Sequence, residues 1–193
     1  MLQKIRKNKL LFVLIILSII IFILGILFNT MIDTNTKKNI TKNINKIILN
    51  TNKNPSLINF ITCVVTNYLF IIIEWLLGIS IIGCFITLFL YLYKVFILGF
   101  ELISLIINLK FNKILIIILY LLPNVFNIII YFIICLFSIS YSYLLFKIVF
   151  LKKEINLQLV MKKYIKVLII ALILIFLSSI IEVFIIPKII SIL

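Results

Sequence analysis

Uninterrupted apolar runs constrain this chain more than any other feature of its sequence. Several of them exceed the roughly 18 residues that identify a candidate transmembrane helix. The first run, Leu10–Phe28, follows the basic cluster Lys4–Lys9 and lacks a cleavage motif, so we expect a retained anchor. The chain is 65% hydrophobic, whereas soluble domains are roughly half apolar. The sequence therefore predicts an all-α, polytopic membrane helical bundle embedded in a lipid bilayer.

We expect about five spans within a single membrane domain, residues 1–193. The sequence YLYK, Tyr91–Lys94, suits a turn at the membrane interface because it combines aromatic and basic residues. Ile114–Leu122, before Pro123, is too short to cross a bilayer, so we interpret it as a half-helix or a kinked start to the fourth span. The predicted spans are residues 10–28, 69–90, 91–109, 124–150 and 167–187.

The basic cluster beside the first span sets the predicted orientation. We place the N-terminus in the cytoplasm of a bacterial cell and the C-terminus outside the cell membrane. Residues 29–68 then form an extracytoplasmic segment, in which Leu57–Tyr68 approaches the second span along the interface. Lysines and isoleucines within residues 29–56 recur at the spacing of a basic amphipathic helix. Its apolar face, a candidate docking surface for a partner, consists of Ile40, Ile44, Ile47 and Ile48.

The charged and catalytic residue types exclude several functions. The net charge is +14, but the lysines flank apolar runs and form no single patch, which favours membrane anchoring over nucleic-acid binding. The chain has no histidine, one aspartate and no CxxC spacing among its three cysteines. A Ser–His pair, a Cys–His pair and a histidine zinc ligand are therefore excluded. We expect a protein that is not an enzyme and binds no cofactor or metal.

Polar residues at helical spacing follow the last three predicted spans. Lys94, Glu101 and Asn108 are seven residues apart, which places them on one stripe of a helix. We expect these faces to meet away from lipid. Helix packing, an ion or proton path, and docking of a partner's membrane helix all remain open. The stripe residues are Lys94, Glu101, Ser104, Asn108, Asn124, Asn127 and Glu182.

Two carboxylates lie inside the apolar runs. Glu74 falls about one turn inside the outer end of the predicted second span, where its side chain could extend to the headgroups. Glu101 falls near the middle of the third span, where a carboxylate costs a few kcal/mol on insertion scales. We therefore predict that Glu101 matters more than Glu74 to the fold, with Lys94 as its candidate partner.

The segment EWLLGISIIG, Glu74–Gly83, resembles the WLLGIS-like signature of the stage II sporulation protein M family. Similar elements follow in the family's order: Lys94 with Gly99–Phe100 resembles its K…GF element, and Leu122–Asn124 resembles its Leu-Pro-x-Asn region, one residue tighter. Ile181–Pro187 resembles its closing segment. The family-like positions are Trp75, Gly78, Ser80, Gly83, Gly99, Phe100, Pro123 and Pro187.

This resemblance implies a non-enzymatic membrane scaffold. Such a scaffold would recruit peptidoglycan-degrading proteins, similar to stage II sporulation proteins D and P, to the septal membrane during forespore engulfment. The predicted external segment agrees with that role. The alternative is a transporter or permease subunit that uses the intramembrane polar stripe.

Overall fold

The computed structural model describes residues 2–32, 57–109, 114–152 and 156–192. In these ranges all the regular secondary structure is helical. The elements in chain order are α1 (Leu2–Met31), α2 (Leu57–Gly78), α3 (Gly83–Leu109), α4 (Ile114–Leu151), α5 (Leu157–Ile180), a π-helical turn (Ile181–Ile185) and α6 (Ile186–Ile192). The prediction of an all-α fold is confirmed.

Five segments of the described chain are long and apolar enough to cross a membrane, as predicted. They are Lys9–Met31, Leu57–Gly78, Gly83–Ile107, Ile117–Leu151 and Leu157–Ile189. The last of these joins α5, the π-helical turn and α6 into one span.

The predicted boundary between the second and third spans is wrong. Helix α2 begins at Leu57, so the segment assigned to the interface is part of the span. The turn lies at residues 79–82, and Tyr91–Lys94 continues α3. Two contacts explain this position: Ser80 Oγ accepts the Gly83 N–H at 2.8 Å, and a Cβ on Gly83 would overlap the carbonyl of the preceding helix end. The turn therefore needs a residue without a side chain at that point.

The fourth and fifth spans also begin earlier than predicted. Helix α4 is continuous through Pro123, so the residues before the proline are the first turns of the same helix and not a separate half-helix. Helix α5 begins at Leu157, ten residues before the predicted Val167. Its start is set by Asn156, whose side chain accepts the Leu159 N–H at 3.2 Å, the arrangement of a helix N-cap.

Backbone packing divides the chain into two compact units. Unit 1 contains the described residues of Met1–Leu49 and Leu92–Leu121, and unit 2 those of Asn50–Tyr91 and Leu122–Leu193. Helices α3 and α4 each continue from one unit into the other. The single-domain prediction for residues 1–193 stays a prediction.

Glycines bring α1 and α3 together in unit 1. A Cβ on Gly25 would overlap the backbone carbonyl of Phe96, and a Cβ on Gly99 would overlap that of Phe22. Small residues allow membrane helices to approach closely enough for extensive van der Waals contact. The family-like Gly99 therefore lies at the crossing of these two helices.

A polar contact joins the same helices nearer the end of α1. The buried Asn29 amide donates to the Phe100 carbonyl at 3.2 Å and also to Ser104 Oγ. An adjacent apolar cluster in unit 1 joins α3 to the start of α4, and its buried members are Leu105, Ile117 and Leu121. Ser104 thus takes part in the packing of α3 against α1, where its hydroxyl accepts a hydrogen bond from Asn29.

Candidate functional site

The three long helical segments of unit 2 have directions that their contacts define. Cys63, near the start of α2, contacts Ser179 of α5 at 3.6 Å. Near its end, Trp75 contacts Tyr164 at 3.3 Å. Because Tyr164 precedes Ser179, helix α5 runs antiparallel to α2.

Helix α4 runs parallel to α2 in this unit. The Tyr131 hydroxyl donates to Asn67 Oδ1 at 3.1 Å. Further along both helices, Ser142 Oγ lies 3.0 and 3.1 Å from the carbonyls of Ser80 and Ile81 in the turn after α2. Helix α4 therefore lies beside α2 from Asn67 as far as that turn.

Four residues, Trp75, Gly78, Ser138 and Tyr164, form a cluster that we name the clasp. The Trp75 indole donates to the Tyr164 carbonyl at 3.3 Å, and the Tyr164 hydroxyl donates to the Trp75 carbonyl at 2.8 Å. Their rings stack with centroids 5.1 Å apart. Ser138 Oγ lies 2.7 Å from the Tyr164 hydroxyl. A phenol has a single proton, so Ser138 is the donor of this bond.

The clasp depends on the absence of a side chain at Gly78. A Cβ there would overlap the Tyr164 hydroxyl and both heavy atoms of the Ser138 side chain. The clasp also satisfies a carbonyl at the end of α2, where the last four carbonyls lack helical partners. The family-like Trp75 and Gly78 therefore join α2 to α4 and α5.

Glu74 lies beside the clasp and is fully buried, at 0% exposure. Its carboxyl group acts electrostatically on Tyr131, Cys135 and Tyr164 of α4 and α5. The prediction that its side chain extends to the headgroups is wrong. With α2 ending at Gly78, Glu74 is near the C-terminal end of the span and faces the interior of unit 2.

A chain of hydrogen bonds, which we name the relay, crosses unit 2 at the other end of α2. The Tyr131 hydroxyl donates to Asn67 Oδ1 at 3.1 Å, and the Asn67 amide donates to Cys63 Sγ at 3.5 Å. Cys63 Sγ then donates to Glu182 Oε2 at 3.3 Å. Glu182 lies in the π-helical turn, a type of irregularity that is frequent at functional sites.

The predicted stripe residues are divided between the two units. Lys94, Glu101 and Ser104 belong to unit 1, whereas Asn124, Asn127 and Glu182 belong to unit 2. Lys94 and Glu101 are half-buried, as is Asn124. The side chain of Asn108 lies outside the described part of the structure.

The remaining predicted site residues that the structure describes lie in a turn, at a contact between helices or inside helices. Ser80 and Gly83 form the turn after α2, Phe100 accepts from Asn29, and Pro123 and Pro187 are buried in helices. The candidate docking residues Ile40, Ile44, Ile47 and Ile48 lie outside the described residues, so their role stays a prediction.

Sequence reasoning missed three participants in these clusters. Tyr164 falls between the predicted fourth and fifth spans, whereas the structure places it inside α5. Cys63 and Asn67 fall in the segment assigned to the interface. Their spacing of four residues, which puts a thiol and an amide on one helix face, was the available signal.

Comparison with known families decides the identity of the chain. The family model described as stage II sporulation protein M matches residues 10–187. The chain belongs to the stage II sporulation protein M family. No curated protein matches the chain, and no solved structure matches it. Together with five segments able to cross a bilayer, membership of this sporulation family indicates a multi-pass membrane protein.

Removal of the Tyr164 hydroxyl measures how much the clasp contributes to the folding stability of this member of the stage II sporulation protein M family. Tyr164→Phe deletes one hydrogen bond to the Trp75 carbonyl and one to Ser138. A net loss of about 1 kcal/mol for each of the two bonds, with a part-buried carbonyl left unsatisfied, predicts a destabilisation of about 2–3 kcal/mol. Thermal unfolding in detergent checks this value. Tyr93→Phe, at a position 52% exposed, is the control and should be silent. Equal melting temperatures for the two variants would contradict the prediction.

Proposed function

We propose that this protein is a non-enzymatic membrane scaffold that recruits peptidoglycan-degrading partners to the septal membrane during forespore engulfment. The observation that carries the proposal is the family match over residues 10–187. Partners similar to stage II sporulation proteins D and P fit it.

The arrangement of unit 2 supports this proposal. The clasp uses the indole of Trp75, the hydroxyl of Tyr164 and the hydroxyl of Ser138 in bonds between helices. Reciprocal hydrogen bonds of this kind hold helices in one relative position. A scaffold needs such a fixed frame, because it must present its partners with a defined surface.

The proposal also assigns an orientation. The N-terminus lies in the cytoplasm and the C-terminus outside, because the basic residues before the first span favour the cytoplasmic side. Residues 29–56 are then extracytoplasmic, where wall-degrading proteins act. Their apolar positions Ile40, Ile44, Ile47 and Ile48 provide the docking surface.

A charge-insertion variant tests the scaffold. Ile44→Asp combined with Ile48→Asp would place two carboxylates on the docking surface, and we expect it to reduce co-purification of wall hydrolases at least tenfold. The matched control is Lys42→Gln with Lys46→Gln, which alters the charge of the same segment. It should weaken membrane-surface association of that segment, by about 1 kcal/mol per lysine, and leave hydrolase co-purification unchanged. Hydrolases that still localise and co-purify with the double-aspartate variant would contradict this docking site.

A transporter or permease subunit is the second candidate function. It is favoured by the relay and by the buried Glu74, because ionisable residues inside membrane spans often mark substrate or ion pathways. Purified protein in proteoliposomes distinguishes the two. Substrate-dependent flux without hydrolase binding would favour the transporter, and hydrolase binding without flux would favour the scaffold.

A further inference from the structure

The side chains of Asn127 and Ser178 in unit 2 each have a buried polar atom that makes no hydrogen bond within the described residues. Asn127 and Ser178 are each only 5% exposed. Asn127 Oδ1 and Ser178 Oγ nevertheless have no hydrogen-bond partner in the part of the chain that the structure describes. A buried acceptor without a donor costs roughly 1–3 kcal/mol, so each of these atoms is expected to meet a ligand.

The two atoms lie at the same level of unit 2, beside the relay. Asn127 is one helical turn before Tyr131 on the buried face of α4. Since α4 is parallel to α2 and Tyr131 bonds to Asn67, Asn127 lies at the level of Cys63. Ser178 reaches the same level from α5, because the adjacent Ser179 contacts Cys63.

Both side chains belong to stripes that face the interior of the unit. On α4 the stripe continues to Ser138, which bonds to Tyr164 of α5. On α5 it begins at Tyr164, which bonds to the Trp75 carbonyl of α2. Buried members of these stripes include Asn127, Tyr131 and Ser138 on α4, and Tyr164, Ala171 and Ser178 on α5. Asn127 and Ser178 therefore point toward the space between α2, α4 and α5.

This level of unit 2 is rich in oxygen acceptors and includes one acidic side chain. Glu182 follows Ser178 by one turn, and its Oε2 accepts from Cys63. The carboxyl groups of Glu74 and Glu182 both act on Tyr131. Amide, hydroxyl and carboxylate oxygens are ligands for hard cations. Mg²⁺ gives up its water reluctantly and usually keeps several waters in protein sites, so a buried site with one carboxyl group among neutral oxygens fits a monovalent ion better.

We propose that unit 2 contains a binding site for a small monovalent cation, with Na⁺ as the first candidate, built from Asn127 Oδ1, Ser178 Oγ and the Glu182 carboxylate. The π-helical turn supports such a site, because irregular helical backbone within membrane spans commonly borders ion sites. The site goes beyond the scaffold function, since it concerns the interior of the bundle. Bound cation would stabilise the folded unit by mass action.

Thermal unfolding of the full chain in nanodiscs tests the site with Na⁺ as the probe. Sodium chloride is titrated against choline chloride at equal concentration, because the methyl groups of choline keep oxygen ligands away from its charged nitrogen. We expect a saturable rise in melting temperature with Na⁺ and none with choline. Saturable binding of radioactive Na⁺ provides the second measurement. Identical melting temperatures in the two salts, without saturable binding, would overturn the proposal and leave a buried water as the ligand.

Two variants separate the cation site from a structural role. Ser178→Ala removes an oxygen that makes no hydrogen bond within the described chain, and Asn127→Leu removes another such oxygen together with the rest of its amide. In choline we therefore expect Ser178→Ala to melt no lower than the parent protein. Both variants should weaken Na⁺ binding at least tenfold. Ser140→Ala is the matched control, because its hydroxyl donates to the Leu136 carbonyl of its own helix, and its Na⁺ response should be unchanged. A full Na⁺ response in Ser178→Ala and Asn127→Leu would overturn the assignment of these ligands.

Discussion

Gly78→Ala is expected to destabilise the protein more than any other single-methyl addition on α2. The new Cβ would overlap the Tyr164 hydroxyl and the Ser138 side chain, so α2 could not keep its position against α4 and α5. Overpacking alone costs about 1–3 kcal/mol, and displacement of the clasp removes hydrogen bonds worth about 1 kcal/mol each. We expect a loss of about 3–5 kcal/mol, seen as a lower melting temperature and a smaller monodisperse fraction in size-exclusion chromatography.

A double-variant cycle identifies the cause of that loss. If the Tyr164 hydroxyl is the obstacle, Gly78→Ala combined with Tyr164→Phe will be less destabilising than the sum of the two single variants, by about 1 kcal/mol or more. Leu76→Phe adds volume to the same helix at a position that is 53% exposed and should have little effect. Simple additivity in the cycle would mean that Gly78 is required for another reason.

Glu74→Gln is expected to destabilise the protein by about 1–3 kcal/mol, and Glu101→Gln by less. Glu74 is fully buried among α2, α4 and α5, so no solvent or headgroup can replace what its carboxylate loses. The Glu74 carboxyl group acts electrostatically on groups of α4 and α5, and removal of one partner from a buried polar interaction costs about 1–3 kcal/mol. Glu101 is half-buried in unit 1, where its surroundings can adjust.

This ranking reverses the one that the sequence predicts. Depth in the membrane, estimated from span boundaries, suggested that Glu101 was the more critical acid, whereas side-chain burial points to Glu74. Thermal unfolding and expression, measured side by side for Glu74→Gln and Glu101→Gln, show whether membrane depth or side-chain burial is the better criterion. A larger loss for Glu101→Gln would restore the ranking by depth.

The error in the second and third spans explains why the two rankings differ. Leu57–Leu109 is almost continuously apolar, so hydropathy alone does not locate the turn within it. The tyrosines and the lysine of Tyr91–Lys94 are residue types typical of a membrane interface, which led to the wrong position for the turn. In the structure Tyr91 is buried in α3 and packs against Phe132, with ring centroids 5.7 Å apart. The turn falls at Gly78–Gly83, where the backbone of the helix end and Ser80 leave no space for a side chain.

The order of apolar and polar residues along the chain is sufficient to predict the class of this protein. Apolar runs of sufficient length require helices, because every backbone polar group in a bilayer must be bonded within its own segment. That constraint is local, and it was enough to predict an all-α bundle with five spans. The short motifs in Trp75–Gly83 and Ile181–Pro187 were enough to indicate the family.

The pairing of polar side chains depends on how the helices pack and cannot be read from local sequence patterns. Trp75 and Tyr164 are 89 residues apart, and Cys63 and Glu182 are 119 apart, so no local pattern pairs them. Helical spacing shows which residues share a face, but the partner of that face depends on the direction and register of the neighbouring helices. The clasp, the relay and the buried position of Glu74 all follow from the packing of α2 against α4 and α5, because burial is a property of the assembled unit and not of one helix.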